Sequence, residues 1–233
     1  MIKLKRWNKK KKAESQAGEM SLLDHLTELR KRLIIILVCF TLTSMLSFNY
    51  VNLFVSKLIS LASGYNFVYI SPSELVMQNM KMSIIVGIIL SSPVLIFELW
   101  KFIKPGLKKS EKRAVLLSLI SGAVFFVMGA VFAYFVMIPM MLMFFKSFIG
   151  PLDIAPMITI KNYLDFIIAI IITFGLIFEM PVLTMLLSQI GILKPELLVK
   201  NRKIIVVLIF VAAAIITPST DIFSQILASI PIL

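Results

Sequence analysis

The sequence predicts an all-α, polytopic membrane protein with six transmembrane helices, both termini on one side and the last two helices short. Three observations predict it. Of 233 residues, 59% are hydrophobic and only 15% charged, more apolar surface than one soluble core hides. The apolar residues fall in runs suited to a hydrocarbon core about 30 Å thick at about 1.5 Å of helix per residue. The positive charge lies between those runs, and nearly all of it in alternate gaps.

The chain divides into a basic, disordered arm, residues 1–20, and one membrane domain, residues 21–233. The run Lys9 to Lys12 suits an arm resting on anionic lipid. Residues 21–33, SLLDHLTELRKRL, place Leu22, Leu26, Leu29 and Leu33 on one stripe of a helix lying on the membrane surface, with His25 and Glu28 on other faces. Spans follow near 33–55, 75–100, 114–138, 163–188, 204–216 and 222–233. The first is too long for the apolar region of a cleaved leader and no small-residue cleavage site follows it, so it reads as a retained span.

Ser71-Pro72-Ser73-Glu74 reads as an N-cap, a proline at the first helical position and a capping-box glutamate opening the second span. Pro105 and Gly106 interrupt the helix after it. Ser118/Gly122 and Gly129/Ala133 in the third span are spaced for close helix packing. The last two spans give only about 20 Å and 18 Å of helix, which predicts local thinning of the bilayer. Thr217-Pro218 forms the turn between them, and Asp221 sits where its charge favours the N-terminus of the last helix.

Positive residues are retained on the cytosolic side of short loops. Of 24 Lys and Arg, ten fall in residues 1–32, six in 101–113 and four in 194–203; only Lys57, Lys81, Lys146 and Lys161 lie on the alternate side. Both termini are therefore expected in the cytosol.

The composition argues against the common chemistries. A net charge of +12 dispersed between apolar runs is not the clustered basic face of a nucleic-acid reader. His25 is the only histidine, Cys39 the only cysteine, and there is no glycine-rich phosphate loop, so neither an enzyme nor a cofactor or metal site is expected. Three carboxylates stand out instead. Glu28 pairs within its helix with Lys31 or Arg32 on the plainer reading, at about 0.2–0.5 kcal/mol, and Glu111 is nearly surrounded by Lys and Arg. Glu179 lies about 13 Å inside the fourth span, where a charged, lipid-facing carboxylate costs about 2.5 kcal/mol or more. It must be protonated, paired or wet, and Pro181 bends the helix beside it.

Taken in order, several segments resemble the TatC family, the multispanning receptor subunit of the twin-arginine protein translocase. They are His25-Leu26-Thr27-Glu28-Leu29-Arg30, Ser71-Pro72-Ser73-Glu74, Pro93 with Trp100, Pro105-Gly106-Leu107 with Glu111-Lys112-Arg113, and Phe132-Ala133-Tyr134-Phe135 before Pro139. Phe174 to Pro181, Thr217-Pro218, Asp221 with Phe223-Ser224-Gln225, and Ile230-Pro231 complete the set. The turn from Thr217 to Asp221 is one residue longer than the family's compact form, and the chain stops at Leu233 without the cytosolic tail of many members.

The resemblance implies a receptor in the bacterial cytoplasmic membrane, without a cofactor. It would bind the paired arginines of signal peptides on folded precursors and recruit TatA-type and, where present, TatB subunits in an oligomeric complex driven by the proton motive force. Two arginines call for two carboxylates, because a guanidinium pairs bidentately in a way lysine cannot copy. Glu28 and Glu111, with His25 and Arg30, are the expected peptide site; Glu179 the polar anchor in a wet membrane cavity; Ser224 and Gln225 the docking edge for partner helices. Two other readings compete. A proton-coupled small-molecule transporter centred on Glu179 predicts saturable uptake by the protein alone, and a purely structural assembly factor predicts no affinity for a twin-arginine peptide.

Overall fold

The computed structural model describes residues 22–62, 65–148, 157–189, 191, 201–217 and 221–231, without the side chains of 22–24, 109–111 and 148. The basic arm 1–20 and Pro218 lie outside the described residues. Helix α1 runs unbroken from Leu22 to Ser60, about 58 Å at 1.5 Å per residue. The surface helix expected over 21–33 is therefore not separate from the first span; nothing between Leu29 and Leu37 breaks a helix, and the two merge into one rod. Helix α2 spans Pro72–Ile103 and ends in a 3-10 turn, Lys104–Gly106, where Pro105 supplies no N–H. Gly106 does not adopt a positive φ, so the turn uses no conformation that only glycine readily takes.

Helix α3, Lys109–Phe132, passes through a π-helical segment, Ala133–Met137, into α4, Ile138–Phe148. The third rod thus extends past Pro139, where a loop was expected. Proline cannot donate to the carbonyl four residues back, and the widened turn, with the Ile138 N–H donating to the Ala133 carbonyl, lets the helix continue. Pro93 is carried inside α2 by a related device: the Ser92 hydroxyl donates to the Ile89 carbonyl, 2.7 Å, the acceptor that Pro93 leaves free.

Helix α5, Ile160–Phe178, is capped by Thr159, whose hydroxyl accepts from the Asn162 N–H. Helix α6 follows as Met180–Gln189, then α7, Arg202–Ile216, and α8, Ile222–Ser229. Four rods are long and apolar enough to cross a membrane: His25–Ser60, Pro72–Gly106, Lys112–Ser147 and Ile160–Gln189. Helices α7 and α8, about 22 Å and 12 Å long, are shorter than a bilayer core, the last shorter still than expected.

The core lies where α5 meets the π segment and α4: Phe174, Met137, Ile138, Met141, Leu164, Ile167, Ile170 and Ile177 are fully buried. Helix α1 pairs with α2 through small residues, the Thr43 hydroxyl donating to the Gly87 carbonyl at 3.0 Å. Helix α3 pairs with α5, where a Cβ on Gly129 would stand 2.4 Å from the Phe174 carbonyl oxygen. Ala133 is fully buried beside it, so the small-residue spacing does mark a close contact.

One departure from an all-α fold is a two-residue parallel ladder, β1 (Phe67–Val68) with β2 (Ile158–Thr159), at the end of the bundle away from the α1 N-terminus. At that end Tyr163 donates to the Leu58 carbonyl, 2.7 Å, and Tyr65 to that of Leu142, 3.2 Å. Burial holds the Tyr65 hydroxyl above the ordinary tyrosine range, so it remains a donor.

Candidate functional site

At the end where α1 begins, the first two helices assemble a charged network. Arg32 pairs with Glu28 one turn back on α1, and its Nη1 also donates to Glu98 Oε2 of α2 at 3.0 Å. Lys101 Nζ donates to Glu98 Oε1, 3.0 Å, while lying 4.1 Å from the centroid of the Phe97 ring. His25 stacks on Phe102 of α2, ring centroids 4.4 Å apart. Two carboxylates and two cations cancel in charge, which permits Glu98 to be buried. Yet the network is not complete: Glu28 Oε2 and Arg32 Nε are buried without a hydrogen-bond partner.

Glu28 and His25 therefore stand on one patch. Arg30 is exposed on another face of α1, and Glu111 enters the first turn of α3 with its side chain outside the description. Glu98 was missed by the sequence reading. The cue was present, because a carboxylate inside an apolar run demands a partner as much as Glu179 does, and Lys101 follows it at i+3. Its second partner, Arg32, lies 66 residues away and could not be read from spacing.

Glu179 stands between α5 and α6. Pro181 cannot extend the α5 ladder, the Glu179 N–H turns to the Leu176 carbonyl at 3.1 Å, and the helix restarts at Met180. The carboxylate faces Gly122 of α3, whose Cβ would lie 3.5 Å from Oε2. It is half-buried, and among the described residues no side chain bonds it. The expected bend at Pro181 is a break in the helix, with the acid at its corner.

Four further assignments are revised by the geometry. Ser224 does not face outward: it is fully buried, its N–H and hydroxyl both donating to Asp221, the N-cap of α8. Gln225 ties α8 to α7 through the Phe210 carbonyl, 2.9 Å, so the outward edge of the pair is Ile222, Ile226 and Ile230. Pro72 does open α2, but Ser71 makes no cap bond; its hydroxyl pairs with Ser73, 2.6 Å. Glu74 reaches Ile70 N–H, 3.0 Å, and Lys161 N–H, 3.3 Å, instead of the capping-box donor, because the start of α5 lies within its reach. At this far end Lys81 pairs with Asp165, 2.7 Å, beside a buried Gln78.

Four apolar rods with a charge-balanced network at one end and a carboxylate at an interior helix break define a polytopic helical membrane protein whose polar groups are confined to a few places. The sequence profile of the family described as Sec-independent protein translocase protein (TatC) matches residues 24–231. The chain is 38% identical to the Sec-independent protein translocase protein TatC of Carboxydothermus hydrogenoformans, covering 92% of this chain and 88% of that one. It is 36% identical to the TatC of Aquifex aeolicus, over 92% and 90% of the two chains. A solved structure described as the twin arginine translocase receptor TatC superposes with a TM-score of 0.71 at 34% identity, covering 89% of this chain and 92% of that one. This protein belongs to the TatC family. It is a Sec-independent protein translocase component, not an enzyme.

Proposed function

We propose that this chain is the signal-peptide receptor of a twin-arginine translocase, with its N-terminus and its charged network facing the cytosol. The observation that carries the reading is Glu28: it already holds a guanidinium, that of Arg32, and keeps a second carboxylate oxygen buried and unpartnered. A peptide arginine that takes this carboxylate from Arg32 finds two acceptor oxygens matched to its forked geometry. Glu111, from the following turn, supplies the second carboxylate, and the Lys and Arg around both repel other basic segments. His25, stacked on Phe102, forms the wall beside Glu28.

Partner recruitment falls to other parts of the bundle. Glu179, half-buried opposite Gly122, is the polar anchor for a TatA- or TatB-type helix or for the inserted signal peptide. The short α7–α8 pair, presenting Ile222 and Ile226, is the docking edge, and the bilayer thins around it. The proton motive force supplies the energy.

The test is site-specific crosslinking of a twin-arginine signal peptide to the membrane-embedded chain, with Arg-Arg against Lys-Lys and wild type against Glu28→Ala and Glu111→Ala. Contact that needs both arginines and both carboxylates is expected. Contact indifferent to the arginines would remove the receptor reading and leave a transporter centred on Glu179, detectable as saturable uptake. Glu179→Ala should leave peptide contact intact while impairing complex assembly and transport; unchanged assembly and transport would remove it as the anchor.

A further inference from the structure

We propose that Glu98 is a positioning residue for arginine recognition: it takes over Arg32 when an incoming guanidinium claims Glu28. The inference rests on the receptor reading above and adds a residue and a step to it.

Arg32 occupies Glu28 in the way a peptide arginine would, so the site holds its own competitor. An incoming guanidinium and Arg32 cannot both own Glu28 without crowding like charge around one carboxylate. Without Glu98, displacing Arg32 would leave a half-buried guanidinium with no acceptor and oppose binding strongly. Glu98 removes that obstacle. It is already bonded to Arg32 through Nη1 at 3.0 Å, it lies within α2, and only 7% of its side chain is exposed, so it cannot be the group that meets the peptide. Arg32 Nε, buried and unpartnered, is a spare donor for a fuller pairing with that carboxylate.

Charge balance is kept by Lys101. It shares Glu98 with Arg32 but is 43% exposed, and its Nζ can turn to water when Arg32 takes the whole of Glu98. The network then exchanges one inward cation for the peptide arginine, and the inward charge stays balanced. Arg32 bridges α1 and α2, so its transfer also reports occupancy of Glu28 to the second helix.

The experiment measures affinity of a fluorescent twin-arginine peptide, and of its Lys-Lys counterpart, for the full chain in lipid nanodiscs. Glu98→Gln, which keeps shape and loses charge, should weaken Arg-Arg binding about tenfold, because Arg32 then competes for Glu28 alone. Adding Arg32→Gln to that variant should restore binding to within about threefold of wild type, since the competitor is gone; that rescue is not expected if Glu98 merely supports the fold. Arg-Arg binding by the wild type that Glu98→Gln leaves unchanged, or a double variant as weak as Glu98→Gln, would overturn this inference alone. No preference of the wild type for Arg-Arg over Lys-Lys would overturn the receptor reading and this inference with it.

Discussion

Gly129 of α3 and Phe174 of α5 meet backbone to backbone: a Cβ built on the glycine stands 2.4 Å from the Phe174 carbonyl oxygen and 2.9 Å from its carbon. Neither obstacle is a side chain that could swing aside. Gly129→Ala should therefore force α3 and α5 apart and lower the stability of the detergent-solubilised protein by about 1–3 kcal/mol. Gly106→Ala, where a Cβ meets nothing within 4 Å, is the matched control. Thermal unfolding of both variants checks the pair, and equal midpoints would contradict the contact.

Glu74 holds two backbone amides from different parts of the chain, Ile70 and Lys161. Charged acceptors strengthen such bonds, and both residues of the acceptor's surroundings are exposed, so the expected loss in Glu74→Gln is about 1 kcal/mol. The specific readout is hydrogen exchange. The Ile70 and Lys161 amides should exchange faster in Glu74→Gln while the Asn162 amide, held by Thr159, keeps its rate. Unaltered exchange at Lys161 would mean the link between α2 and α5 is absent in the membrane.

What the sequence disclosed and what it hid follow from the range of the interactions involved. The long apolar runs, the N-terminal proline of α2, the Gly129/Ala133 packing stripe and the break at Glu179 are local signals, each written within a few residues, and each is found in the fold. The continuation through Pro139 was hidden because proline ordinarily ends a helix, and only the widened turn before it accommodates the missing donor. The ladder of Phe67 with Ile158 and Val68 with Thr159 was hidden because two residues carry no alternation. At the charged end, Glu28 was legible with its i+4 partner Arg32, whereas Glu98 needed the packing of α2 on α1 before its role existed. Ser224 misled because it is fully buried with its hydroxyl donating to Asp221, and that burial depends on how α8 packs.

Lys81 and Asp165 connect α2 to α5 at 2.7 Å, each about a third to a half exposed. Such pairs are screened and contribute about 0.2–1 kcal/mol. A double-mutant cycle of Lys81→Met and Asp165→Asn should return a coupling in that range that shrinks as salt is raised from low to high concentration. A coupling several times larger, or one insensitive to salt, would place the pair in a drier setting than its exposure indicates.

Asp221 is the acceptor on which α8 begins, taking the Ser224 N–H at 2.7 Å and the Ser224 hydroxyl as well. An eight-residue helix has too few internal bonds to stand without its cap and its packing. Replacing Asp221 by alanine removes the N-cap at about 0.5–2 kcal/mol and leaves the buried Ser224 hydroxyl without this acceptor. Asp221→Asn retains an acceptor oxygen and should lose much less. The stacked rings of Phe144 on α4 and Phe223 on α8, 4.4 Å apart, give a direct readout. Cysteines at those two positions should crosslink efficiently in an otherwise wild-type chain, nearly as well with Asp221→Asn, and poorly with Asp221→Ala. Efficient crosslinking in the alanine variant would show that packing alone holds α8 and that the Asp221 cap is dispensable.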